Sequence, residues 1–228
     1  MNSAHEDNDD KPTLDQQYLA ARILEAETGD LLEALLDNYK NGTNYQKALA
    51  AISVAQCDLF SGFLELIPNN FIFSRAIIFR SILENYGMMI HIRDSDKRSK
   101  AFLSTSIEFS WELKNAYADI NPKVEEKFWS SSSIKDRVKK VGTDSHFIYD
   151  LLSQFTHGNN VASLFATDAQ ADGIYFLIIN EYLKTFVQFY FVLVHDLKMS
   201  EKMKDRLYTA MERAGKISTG QKADKMVT

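Results

Sequence analysis

The segment from Ile174 to Leu197 constrains this chain more than any other. It is the most apolar stretch, and it is long enough to raise the question of a membrane span, which needs about 20 mostly apolar residues. Asn180, Glu181, Lys184 and Gln188 interrupt it, and Asn180, Lys184 and Gln188 stand at i, i+4 and i+8. That spacing draws a narrow polar stripe down an otherwise apolar helix. A charged residue near a bilayer centre costs about 2.5–3.5 kcal/mol on insertion scales, and Glu181 and Lys184 would both have to pay it. The pattern predicts a mostly buried helix near the C-terminus of a soluble bundle, with no membrane partner.

Such a helix needs companions, and the chain has little with which to build anything but helices. Its 228 residues hold 9 Gly and 3 Pro, where average usage gives about 27 in total. Few turns and long apolar periodicities predict an all-α fold: a single-domain bundle of eight to nine helices. The domain is expected over residues 13–215, between a polar lead (1–12) and a tail (216–228), both disordered. The first helix is expected from Thr13 to about Lys40, with a bend at Gly29. The next runs from Thr43 to Ile67 and ends at Pro68. A dense apolar helix reaches Arg93, a charged loop covers Arg93 to Lys100, and a further helix spans about Arg98 to Asp119. Short helices follow near Val124–Trp129 and over Ile134–Val141. Then come Asp144–His157, the apolar segment, and a last helix that starts after Ser200 and stops at Gly215.

Charge and cysteine content narrow the function classes. A net charge of −5 does not advertise the broad basic face of a nucleic-acid binder. Cys57 is the one cysteine, so no internal disulfide forms, and a reducing, cytoplasmic setting is expected. The segment Met1–Lys11 lacks the apolar core of a secretory signal. No dinucleotide-binding, P-loop, hydrolase-elbow or zinc-protease motif occurs. The histidines lack metal-ligand spacing to one another, so neither metal nor cofactor is expected. Cys57 reads as a small core residue. Trp111 and Trp129 read as core or subunit-contact residues, and Phe186, Phe189, Tyr190 and Phe191 as core aromatics. The basic run Lys135–Lys140 fits a solvated helix face.

Polar residues that violate the apolar pattern are the site candidates. At 100° per residue, Arg80, Glu84 and His91 fall together on one flank of their helix, beside Phe73, Ile77 and Met88. Arg80 and Glu84 are i, i+4 and close enough to pair. On the helix ending at His157, Tyr149, Ser153 and His157 lie at i, i+4 and i+8, opposite an arc of Phe147, Ile148, Leu151, Leu152 and Phe155. If the two flanks meet, Arg80, Glu84, His91, Tyr149, Ser153 and His157 form one polar cluster, either structural or ligand-binding.

Two segments also carry a resemblance. Arg80-Ser81-Ile82-Leu83-Glu84 resembles the R-S-hydrophobic-hydrophobic-E helix of a group of bacterial all-helical proteins known only as domains of unknown function. Tyr149 to Gly158 is similar to their second signature, a helix ending in S-x-x-x-H-G. The likeness extends in pattern from about Tyr45 to Leu197. It implies a helical bundle in a bacterial or phage-related cytosolic context, and no established activity. Those proteins in turn resemble the HEPN domains, many of which are metal-independent ribonucleases of toxin and phage-defence systems. HEPN nucleases place an Arg and a His a few residues apart on one helix. Here ten residues separate Arg80 from His91 and eight separate Arg137 from His146. A catalytic pair would need Arg80 and His157 to meet from different helices. Two readings stay open: a non-enzymatic binding or interaction module with a protein partner or self-association, and a HEPN-like ribonuclease acting on RNA through Arg80 and His157.

Overall fold

The computed structural model describes residues 13–68, 72–93, 95–108, 133–156 and 170–219. Among these the chain forms α1 (Leu14–Glu25), α2 (Thr28–Asn41), α3 (Asn44–Leu66), α4 (Ile72–Ile92), α5 (Asp96–Glu108), α6 (Ile134–Lys139), α7 (Thr143–Thr156), α8 (Gln170–Asp196) and α9 (Glu201–Ser218), and no strand. The all-α bundle is thus as expected. The lead before Thr13, the tail after Thr219, the short helix near Val124–Trp129, and Trp111 and Trp129 lie outside the described residues.

Helix starts are written in local chemistry. Thr13 and Thr43 cap α1 and α3, each in a reciprocal box with the Gln three residues on. Ser133 and Ser200 cap α6 and α9. Helix ends obey tertiary demands more often. The expected long first helix breaks at Ala26–Glu27, before Gly29, where the Thr28 hydroxyl donates to the Glu25 carbonyl at 2.7 Å. The break also frees Glu27 to reach Arg206 on α9. The expected charged loop is shorter than Arg93–Lys100. Its second half is the first turn of α5, where Asn44 donates to Asp96 at 2.8 Å and Lys100 pairs with Asp96. Gly215 does not end α9, which continues to Ser218. Ile217 is 7% exposed. Its burial contributes about 1.5–3 kcal/mol, more than the roughly 1 kcal/mol cost of a helical glycine.

The core is aromatic. On α8, Tyr182, Phe186, Phe189 and Tyr190 are fully buried. Phe186 stacks on Phe60 of α3 with ring centroids 3.9 Å apart, and Tyr182 stacks on Phe63 at 4.4 Å. The Tyr182 hydroxyl donates to the Phe60 carbonyl at 2.9 Å, and the Tyr190 hydroxyl to the Leu24 carbonyl. Each buried phenol therefore has the partner that burial demands. Asn180 and Lys184 face outward, as the polar stripe requires. Phe191 departs from the expected core position and is about half exposed. Two segments, α3 and Phe176–Asp196 of α8, are long and apolar enough to cross a membrane by length and composition. Within the bundle 67% of the apolar stretch in α8 and 44% of that in α3 is buried. Elsewhere α1 lies along α9, α2 and α4 lie along α3, and α6 and α7 cover α4.

Candidate functional site

α4 is buried on two sides. Phe79, Ile82, Leu83, Tyr86 and Met89 enter the core. The other flank runs through Phe73, Ile77, Arg80, Glu84, Gly87, Met88 and His91. Its N-terminal end is open, with Phe73 and Ile77 about half exposed, and its C-terminal end is closed by α6 and α7. Gly87 makes that closure possible. A β-carbon there would stand 3.1 Å from the carbonyl carbon of Arg137 and from the amide nitrogen of Val138. Those atoms are backbone, so any larger residue would require α6 to move back by a few tenths of an ångström.

At the border between open and closed flank, Arg80, Glu84 and Tyr149 meet. Arg80 Nε donates to Glu84 Oε1 at 3.0 Å, and the Tyr149 hydroxyl donates to the same oxygen at 3.0 Å. Arg80 Nη2 lies 3.4 Å from the Tyr149 hydroxyl, and its guanidinium carbon is 5.3 Å from the ring centroid. The Arg80 and Glu84 side chains keep 26% and 28% of their surface, while Tyr149 keeps 6%. The phenol is therefore interior, and the ion pair sits at the rim. Burial pulls the Arg80 guanidinium down, but the Tyr149 and Glu84 contacts outweigh it and leave its pKa above the ordinary value. Burial and the Glu84 carboxylate both push the Tyr149 phenol up.

Arg137 is the residue that sequence reasoning missed. The basic run Lys135–Lys140 reads as a solvated face, and Lys135 does pair outside with Asp150 at 2.9 Å. Arg137, however, is 3% exposed. Burial lowers its pKa, against the upward pull of Glu84 and Tyr149. Sequence spacing gave no signal for this, since Lys139 is equally adjacent to the inward-facing Val138 and is exposed. A second missed pair is Ser145 and Glu181, both buried, in which the serine hydroxyl donates to the carboxylate. Lys184 approaches the other Glu181 oxygen at 3.3 Å. α7 is thus held to α4 by the Arg80 seam and to α8 by Glu181.

The expected six-residue cluster divides. Ser153 is half-buried, and its hydroxyl donates to the Tyr149 carbonyl at 2.8 Å. His91 sits about 16 Å farther along α4 than Arg80, at 1.5 Å per residue, and is 2% exposed. It belongs to a separate niche, where Arg98 Nη1 donates to its carbonyl at 3.1 Å. Burial, with the positive charges of Arg98, Lys140 and Arg137, pushes its pKa down to about 4, so it is neutral at pH 7. Arg137 acts electrostatically on both niches. His157 directly follows the last residue of α7 and lies outside the described residues. Phe147, placed in the apolar arc of α7 by its spacing, is 62% exposed. The buried arc is instead Ser145, Ile148, Tyr149 and Leu152. Cys57 packs against the core, and burial raises its thiol pKa to about 12.

Among the described residues no three His, Cys, Asp or Glu side chains converge as metal ligands. Comparison with protein-family models, curated proteins and solved structures found no match.

Proposed function

We propose that this chain is a non-enzymatic binding module, and that the α4–α7 seam is its anion-recognition element. One observation carries the reading: Arg80 is oriented by Glu84 and Tyr149 while about a quarter of its side chain faces solvent. A guanidinium held in one orientation spends less conformational entropy on a ligand than a free one. The half-exposed Phe73 and Ile77 continue the same flank and offer apolar contact beside the charge. Titration calorimetry of the whole chain with inorganic phosphate tests this. Binding by the wild type, lost in Arg80→Ala and weakened in Arg80→Lys, is expected. Equal binding by all three removes the seam from the function.

A second reading is a HEPN-like ribonuclease in which Arg80 and His157 act on a phosphodiester that Tyr149 and Ser153 position. What favours it is that the helix packed on Arg80 is the one whose sequence continues directly into His157. An Arg and a His facing one phosphate could bind it and transfer a proton. Incubating the full chain with RNA without added metal tests this reading. Cleavage abolished by both Arg80→Ala and His157→Ala would establish it, and intact RNA would leave the binding module.

A further inference from the structure

α2 carries an apolar stripe that the fold leaves uncovered. Its Leu31 and Leu35 enter the core, while Leu32, Leu36 and Tyr39 are each about half exposed. These three stand at i, i+4 and i+7, within an arc of about 60° at 100° per residue. The alternation of four-residue and three-residue steps is that of a helix seam built to meet another helix. Asp30, which pairs with Arg206 of α9, lies on roughly the opposite side of α2. The stripe therefore points away from α9.

The charges beside the stripe run from acidic to basic along the helix. Glu33 follows Leu32 and Lys40 follows Tyr39, so both lie on the same flank, about 10 Å apart along the axis. Both are exposed, and neither makes an ion pair or hydrogen bond among the described residues. When two such helices pair antiparallel about a two-fold axis, this flank of one copy faces the same flank of the other. Glu33 of each copy then meets Lys40 of the other, and Leu36 of each packs beside Tyr39 of the other. A parallel pair would instead set this flank against the line of Thr28, Leu35 and Gly42, which carries no charge.

We infer that the outer face of α2 binds a second copy of this chain in an antiparallel, two-fold symmetric dimer, independently of the α4–α7 seam. A two-fold contact uses one patch on both copies, so the patch must complement itself. This one does so twice over: apolar against apolar, and Glu33 against Lys40 on both edges of the symmetry axis. Its size sets the strength. Three half-exposed side chains fall well short of the roughly 20–30 residues a side of a stable interface. The dimer is therefore weak and reversible, with a dissociation constant of about 10 μM to 1 mM.

The test is sedimentation equilibrium of the full chain at protein concentrations from about 5 μM to 1 mM. A reversible monomer–dimer equilibrium is expected. Leu36→Glu should weaken it by about tenfold or more, because a carboxylate would be carried into the apolar seam. The thermal midpoint of the dilute protein should change little, since that side chain is already half exposed. Glu33→Lys and Lys40→Glu each set like charges face to face on both edges, and each should weaken the dimer by about three- to tenfold. Glu33→Lys/Lys40→Glu combined should restore the wild-type affinity. Higher salt should shrink the penalty of the single reversals. A chain that stays monomeric at about 1 mM would leave the stripe to a different partner and overturn the inference. So would a dimer indifferent to Leu36→Glu, or a combined variant no tighter than the single ones, since the two helices would then not pair antiparallel.

Discussion

The contact of α8 with α3 and the contact of α7 with α4 join helices in the same bundle by opposite chemistry. The first is dry and aromatic: Phe186 on Phe60, Tyr182 on Phe63, with the phenols satisfied by backbone carbonyls. The second is a seam of Arg80, Glu84, Tyr149 and Arg137, wet at one edge and closed at the other. Apolar burial is non-directional and tolerates approximate fit. A charged seam holds only in good geometry, and well-packed apolar residues often match or exceed its stability. The aromatic contact is therefore where the fold's stability resides. The seam adds orientation at a cost, which supports the recognition role proposed for it.

The sharpest way to break this contrast is to cut both contacts. Phe186→Ala should cost about 3–5 kcal/mol in denaturant unfolding, because a fully buried ring leaves a cavity. A loss under 1 kcal/mol would show that α8 is not the keystone. The next effect is one of pH. His91 has a folded pKa of about 4, below its ordinary value of 6.5. The unfolded chain therefore takes up the proton first, and stability falls as pH drops from about 6.5 to 4. The expected loss is about 2–3 kcal/mol. His91→Gln should flatten that part of the stability profile, and an unchanged slope would assign it to the carboxylates.

Gly87→Ala probes the closed end of the seam. Alanine gains about 1 kcal/mol of helix propensity, but its methyl group would press on the α6 backbone. A net loss of about 1–3 kcal/mol is expected, whereas a more stable variant would show that close approach of α6 is not required. Smallest is the rim itself. Glu84→Gln should cost about 1 kcal/mol, since the pair is more than a quarter exposed and solvent screens it. A double-mutant cycle with Arg80→Ala, read by chemical denaturation, should return most of that value as coupling energy. Zero coupling would mean that Arg80 is oriented by Tyr149 alone.

Much of this molecule is legible in its residues. Thr13, Thr43, Ser133 and Ser200 mark helix starts because an N-cap is a contact across three residues. The stripe of Asn180, Lys184 and Gln188 tells the outer face of α8 because side-chain direction repeats with the helix. Arg80 and Glu84 pair because they are one turn apart. What only the tertiary structure decided involves partners distant in sequence. Tyr149 turned inward to Glu84, Arg137 was buried rather than solvated, Ser145 found Glu181, and α9 ran through Gly215 because Ile217 had a core to enter. The physical reason is range: caps and periodicity are energies of neighbouring residues, while burial of a charge depends on which helix lands beside it.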